Sequence, residues 1–267
     1  MLSRDPLDRI CAETHMSPGP LISRPLINID ARSSKWEEPP WPSAFELARL
    51  LPQSSWTLVG GLMVKLHAEL AGLPAPRTTV DVDSALHLET KAISFLQAAA
   101  LLQEAGYVLD RSTKYAYRFD RGLERVDLMC TDRQFIFRGP RYGGRPLFGI
   151  PGGTRALQQT LNIDVLTEAD TVRLVIPSVR GALVLKGAAY LADSRDRGRH
   201  AEDAVVLLAC MDDASEALLG LSQQSRGRLR ALVNVLTEQT APWANHDAVV
   251  QSLARETLDE LAELLGK

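Results

Sequence analysis

An α+β fold is predicted from three features of the 267-residue chain. A short apolar strand, "SSWTLV", runs through Gly60-Gly61 into a helical stretch; a β-branched strand, "TTVDVDSAL", follows it; and from Val179 onward the apolar spacing is helical. Together these place a small mixed sheet, with its own helices, ahead of a helical C-terminal part. We divide the chain into a lead-in at 1–43, a core at 44–177 and a helical C-terminal domain at 178–267.

Element by element, residues 1–43 carry "SPGP", "SRP" and "EEPPWP", a proline-rich stretch with weak periodicity that reads as an extended arm. "SAFELARLL" is helical and ends before Pro52. "SSWTLVGG" is a strand closed by a glycine pair, and in "LMVKLHAELAG" Leu62, Met63, Leu66 and Leu70 recur at helical spacing up to Gly72. After "TTVDVDSAL" comes a helix, "KAISFLQAAALLQEAG", then strands "KYAYRF" and "ERVDLMC" joined by the turn "DRG", and a further strand in "RQFIF". Residues 139–153 alternate glycine, proline and arginine and read as a mobile basic loop. "VRLVIPS" is the last strand; helices are expected at about 179–193, at 200–211, and twice within 214–266.

The composition, 45% apolar and 24% charged, is that of an ordinary soluble globular protein. No apolar run approaches the roughly 18 residues of a membrane span, and the opening "MLSRDPLDRICAETH" is charged where an export leader needs an apolar core, so a cytoplasmic location is expected. Cys11, Cys130 and Cys210 are odd in number and lack CxxC spacing, which predicts free thiols. The net charge of −3 hides an asymmetry: residues 111–145 hold nine Lys/Arg against four acids.

The chemistry lies in the aspartates. Strand side chains alternate faces, so Asp81 and Asp83 share a face about 6.5 Å apart along the backbone while Val80 and Val82 take the other. Two like charges so placed are either solvated acids at a strand end or ligands for a hard divalent cation. Gly60-Gly61 stands between a strand and a helix N-terminus, where free N–H groups and the helix dipole favour phosphate. A third acid, Asp127, sits in "RVDLM" and would join the first two if its strand paired beside 79–84. Three carboxylates and a phosphate cradle are the parts of two-metal phosphoryl transfer.

At these residues the chain resembles a known family. "LVGGLMVKLHAELAGLPAPRTTVDVDSAL" is similar to the Gly-Gly, helix, R-x-T-x-D-x-D signature of the DNA polymerase β-like nucleotidyltransferases, and in particular of the AbiEii-type toxins of toxin–antitoxin systems, the mycobacterial ones among them. Gly61 stands where the wider superfamily often has serine. The resemblance runs over about residues 56–210, and it implies Lys186 in "IPSVRGALVLKGAAYLA" and Asp203 in "RHAEDAVVLLA" as the remaining site residues. It further implies a polymerase β-like core, Mg²⁺ or Mn²⁺ as the cofactor, an NTP as donor, the tRNA 3′ end as acceptor and a cognate antitoxin as partner.

The expected roles are these. Asp81, Asp83 and Asp127 bind metal, and Asp127 also helps to activate a hydroxyl; Gly60 and Gly61 hold phosphate; Lys186 neutralises the triphosphate, with Lys65 and Arg195 as further nucleotide contacts. For Lys186 the other reading is a stem that snorkels to solvent, for Asp203 a helix cap, for Lys65 a solvated face, and for the Arg195, Arg197, Arg199 cluster a solvated turn. Arg77 would orient a carboxylate or a phosphate, or lie free on the surface. The basic segment 111–145 fits an RNA acceptor. The alternatives are an antibiotic nucleotidyltransferase, which would present an acidic cleft to a cationic substrate, and a catalytically silent nucleotide- or RNA-binding protein of the same fold.

Overall fold

The computed structural model describes residues 25–74, 77–132 and 139–266. The start of the expected arm, Cys11 and the strand expected in "RQFIF" lie outside the described residues. In chain order the elements are β1 (Leu26–Asp30), α1 (Trp41–Leu50), β2 (Trp56–Leu58), α2 (Gly60–Leu70), β3 (Asp81–Leu86), α3 (Phe95–Glu104), β4 (Val108–Leu109), β5 (Arg118–Arg121), β6 (Glu124–Thr131), β7 (Arg141–Tyr142), β8 (Arg145–Pro146), β9 (Gly149–Ile150), α4 (Gly153–Ala156), β10 (Thr160–Leu166), β11 (Thr171–Pro177), α5 (Val179–Ala192), α6 (Arg197–Ala209), α7 (Gln223–Glu238) and α8 (Ala248–Leu264). The fold is α+β, as expected, and no helix among the described residues is long and apolar enough to cross a membrane.

The main sheet runs β2-β3-β6-β5-β4, with β9 added beside β6. It is mixed: β3 pairs parallel with β6, and β2, β4 and β5 pair antiparallel with their neighbours. Parallel pairing of β3 with β6 needs a crossover, supplied by the α3 region and the β4–β5 excursion. The short helix α3 starts where Ser94 and Gln97 exchange hydrogen bonds in a capping box, and α5 starts where Ser178 accepts from the Gly181 N–H. Each such cap stabilises its helix by about 1 kcal/mol.

A second sheet, β1-β10-β11, sits against β2 through β11. It holds two strands absent from the sequence expectation. Within the lead-in, Leu26–Asp30 is a strand whose Ile27 and Ile29 lie beside Ile163 and Val165 of β10. Residues 139–153, expected as a loop, contain β7, β8 and β9.

Apolar side chains from both sheets and from α1, α2 and α5–α8 form one continuous interior. Leu47, Leu58, Leu62, Leu66, Leu86 and Leu128 are wholly buried there, each stabilising the fold by about 1.5–3 kcal/mol. Helix α2 packs on α5 and α6 as well as on β3, and so joins the aspartate strand to the helical region. Of the two valines expected to anchor β3, Val82 is buried, whereas Val80 lies just ahead of the strand and is 65% exposed.

Candidate active site

Strand register brings the acids together. In the β3–β6 pair Asp83 lies opposite Asp127, and Asp81 opposite Arg125. Neighbouring strands stand about 4.8 Å apart and aligned residues share a face, so Asp83 and Asp127 project side by side, with Asp81 two residues along on the same face. One carboxylate oxygen from each of the three lies within 4.8 Å of the other two. An all-oxygen anionic set of this kind fits a hard divalent cation such as Mg²⁺ or Mn²⁺.

Placing three acids together is unfavourable without a counter-charge, and Asp83 and Asp127 reflect it. Burial, and then the charges of Asp81 and Asp127, push the Asp83 carboxyl up from 3.8 to about 7, against the pull of Lys186 and Arg199. Burial also raises Asp127, although Arg118 opposes it: Nε and Nη2 of Arg118 donate to Oδ1 and Oδ2 of Asp127 at 2.9 and 2.7 Å. The Asp81 carboxylate accepts from the buried Thr79 hydroxyl at 3.0 Å. Thr79 and Arg118 are thus partners of the acids that the sequence reading missed.

The glycine pair opens α2 beneath this cluster. Gly60 has φ +70°, and a β-carbon on it would stand 2.6 Å from Cβ of Asp83 and overlap its carboxylate. A β-carbon on Gly61 would stand 2.7 Å from the Thr79 hydroxyl. Both glycines therefore make room for the acids and for the residue that orients Asp81, a requirement separate from the expected phosphate contact.

Lys186 does not snorkel. It is 5% exposed on α5, and its ammonium donates to Asp203 Oδ2 at 2.6 Å. Asp203 is not a cap either: α6 begins at Arg197, which leaves Asp203 in the second turn, 2% exposed. Its other partner is Arg77, whose Nε and Nη2 donate to Oδ1 and Oδ2 at 3.0 and 3.1 Å. Burial pushes the Asp203 acid up, but Lys186 and Arg77 outweigh it and hold the group below the usual carboxylate range. Lys65 is half-buried on α2, its pKa lowered by burial and by the charge of Arg77.

The arginines ahead of α6 divide. Arg195 is exposed, with no side-chain contact among the described residues that joins it to the acids. Arg197 stacks over Tyr190, and Arg199 pairs with Asp193 and Asp196 at 3.8 and 3.5 Å while its charge also reaches Asp83. His200 is buried beside them, lowered to about 4 by burial and by Lys186 and Arg199.

Within the basic segment, three of the arginines are paired with carboxylates. Arg118 holds Asp127, Arg121 holds Glu46 and Glu124, Arg125 holds Asp120, and Arg145 donates to the Asp110 and Thr113 carbonyls. A cavity of ≈ 930 Å³ lies elsewhere, between the starts of α5 and α7, and Ser178, Arg180, Cys210 and Ser222 line it without any of the site acids. Cys130 and Cys210 are free thiols, as expected.

No family model matches the chain, and no curated protein does. Among solved structures, the chain is similar to the antibiotic-resistance factor ANT(2'')-Ia in solution, with 14% identity and a TM-score of 0.32 over 83% of this chain and 90% of that one. It is similar also to ANT(2'')-Ia in complex with adenylyl-2''-tobramycin, with 14% identity and a TM-score of 0.32 over 80% and 92%. Likeness at that level carries no weight for what this chain does; the weight falls on the geometry of its own site.

Proposed function

We propose that this protein is a divalent-metal-dependent nucleotidyltransferase. The observation that carries the reading is the convergence of Asp81, Asp83 and Asp127, one oxygen from each within 4.8 Å of the others, above the glycine-started helix α2. An acceptor hydroxyl attacks the α-phosphorus of an NTP, the bond to the bridging oxygen breaks, and pyrophosphate leaves with the nucleoside monophosphate now on the acceptor. A bound Mg²⁺ or Mn²⁺ would supply Lewis acidity for the phosphoryl oxygens and the attacking hydroxyl. Asp81 and Asp83 would hold the cation; Asp127, fixed in plane by Arg118, would complete the set and orient the hydroxyl. Lys186 supplies positive charge for the triphosphate, the N–H groups of Gly60 and Gly61 donate to a phosphate at the start of α2, and Lys65 and Arg195 are further nucleotide contacts.

For the acceptor, the sequence resemblance supports the tRNA 3′ end, with the chain acting as a toxin held in check by a cognate antitoxin. A second reading, a small cationic acceptor of the antibiotic kind, is favoured by the internal pairing of Arg118, Arg121 and Arg125 with carboxylates, which takes three of the nine cations of that segment away from an RNA backbone. One experiment separates them: the pure protein is incubated with Mg²⁺, each α-labelled NTP in turn, and either total tRNA or an aminoglycoside panel. Label should move to one acceptor class and should not move with Asp83→Ala. Label on tRNA supports the toxin reading, and label on a small molecule supports the second. Nucleotide binding without transfer to any acceptor would leave the silent binding protein.

A further inference from the structure

Asp203 is one carboxylate with two cations. Arg77 reaches it from the loop between α2 and β3, Lys186 reaches it from α5, and Oδ2 is shared between the Arg77 Nη2 at 3.1 Å and the Lys186 Nζ at 2.6 Å. All three come from different parts of the fold, and Asp203 and Lys186 are buried. A lysine paired with a single buried carboxylate is a neutral pair, and its attraction for a polyanionic nucleotide is cancelled. With Arg77 added, two cations share the Asp203 carboxylate, and the charges of Glu202 and Asp81 also act on Arg77.

The geometry is also directional. A guanidinium donating through Nε and Nη2 to both oxygens fixes the plane of the carboxylate, which a single ammonium cannot do. With that plane fixed, the position of Oδ2, and so of the Lys186 ammonium bonded to it, is set. The Lys186 charge in turn reaches Asp83. Arg77 is the member of the group open to solvent, its side chain 30% exposed against 6% for Lys186 and 2% for Asp203.

We infer that Arg77 is a positioning residue for nucleotidyl transfer, acting through Asp203 to hold the Lys186 ammonium towards the three-carboxylate cluster. Asp203 is then the hub of that arrangement and takes no part in the chemistry. The inference rests on the nucleotidyltransferase reading, since it concerns what Lys186 does for a bound triphosphate.

A double-mutant cycle on the full chain tests it, with Arg77→Ala, Lys186→Ala and the double variant assayed for kcat and KM beside a melting curve for each. Arg77→Ala should lower kcat/KM by about 100-fold, the scale of a misplaced charge at a reacting centre, and the double variant should lose no more than Lys186→Ala alone. Added guanidinium should restore part of the activity of Arg77→Ala and none of the double variant. Arg77→Lys, which keeps the charge but lacks the planar fork that fixes the carboxylate plane, should recover only a small part of kcat.

Losses that multiply in the double variant would overturn the inference, because Arg77 would then act on substrate by itself. A lowered melting temperature with kcat/KM unchanged would overturn it too, leaving Arg77 as a strut. In either case an active wild type keeps the nucleotidyltransferase reading intact. If the wild type transfers no label, the same cycle is read on Mg²⁺–ATP affinity; a wild type that neither transfers nor binds ends the functional reading and this inference together.

Discussion

Arg118 and Asp127 face each other across the β5–β6 hairpin, and the guanidinium donates to both oxygens of the carboxylate at 2.9 and 2.7 Å. The pair does for Asp127 what Thr79 does for Asp81: it fixes an acid that must keep one oxygen turned towards its neighbours. A second partner that orients a metal-binding carboxylate is commonly worth about 10- to 100-fold in metal affinity. Arg118→Lys should weaken Mn²⁺ binding by that order, because an ammonium lacks the planar pair of N–H donors that fixes the plane of the carboxylate. Calorimetric titration of wild type and variant measures it, and equal affinities would show that Asp127 needs no such partner.

Gly60→Ala should abolish metal binding while the protein still folds. The left-handed backbone at φ +70° costs a non-glycine residue roughly 1–2 kcal/mol, which a fold of this size tolerates. The new β-carbon, however, occupies the space of the Asp83 carboxylate. Circular dichroism should remain that of the wild type while Mn²⁺ binding and label transfer are lost; retained Mn²⁺ binding would mean that Asp83 moves aside without consequence.

Asp83 gives the metal-free protein a particular pH response. Its folded pKa of about 7 lies above the ordinary 3.8, so between those values the folded chain holds a proton that the unfolded chain releases. The stability from this group is complete below about 4 and is lost as the pH rises through about 7. In EDTA, the melting temperature of the wild type minus that of Asp83→Asn should therefore fall across this window. Mn²⁺ affinity should rise over the same range, since the cation displaces the proton, and then level off. A difference that stays flat with pH would show that Asp83 is already ionised.

His67 works in the opposite direction. It is buried, its Nε2 lies 3.0 Å from the Pro177 carbonyl, and burial outweighs that contact to lower its pKa from 6.5 to about 4. The unfolded chain takes up the proton first, so stability is lost as the pH falls from about 6.5 through about 4. His67→Gln keeps a donor for Pro177 but has nothing to titrate. Its melting temperature should fall less than that of the wild type between pH 6.5 and 4.5, with the contribution of His200 common to both; parallel curves would contradict the assignment.

Much of this was legible in the chain. The helices α1, α2, α3 and α5–α8 followed from apolar spacing and capping residues, and the three acids were found because two stood on alternate positions of one strand and the third in a similar strand. What was missed depends on partners distant in sequence. β1 lies in a proline-rich lead-in and becomes a strand only by pairing with β10, 136 residues away in register at Leu26 and Asn162. β10 did carry a signal, the alternation of Leu161, Ile163 and Val165 with polar neighbours. Arg118 was within reach as well: a turn closed at Gly122-Leu123 sets Arg121 against Glu124, and counting back along both strands sets Arg118 against Asp127. Arg77, Asp203 and Lys186 were each singled out in the sequence, but their contact with one another had no local signature, because the three segments meet only after α2 has packed on α5 and α6.

Everything proposed for this protein depends on Asp81, Asp83 and Asp127 together holding a divalent cation for nucleotidyl transfer. The most direct test is anomalous diffraction from crystals soaked in Mn²⁺ and a non-hydrolysable NTP. Mn²⁺ peaks should be ligated by oxygens of all three carboxylates, with the triphosphate reaching the start of α2 and the Lys186 ammonium. Mn²⁺ bound elsewhere, or three acids left without metal while the nucleotide is bound, would contradict it.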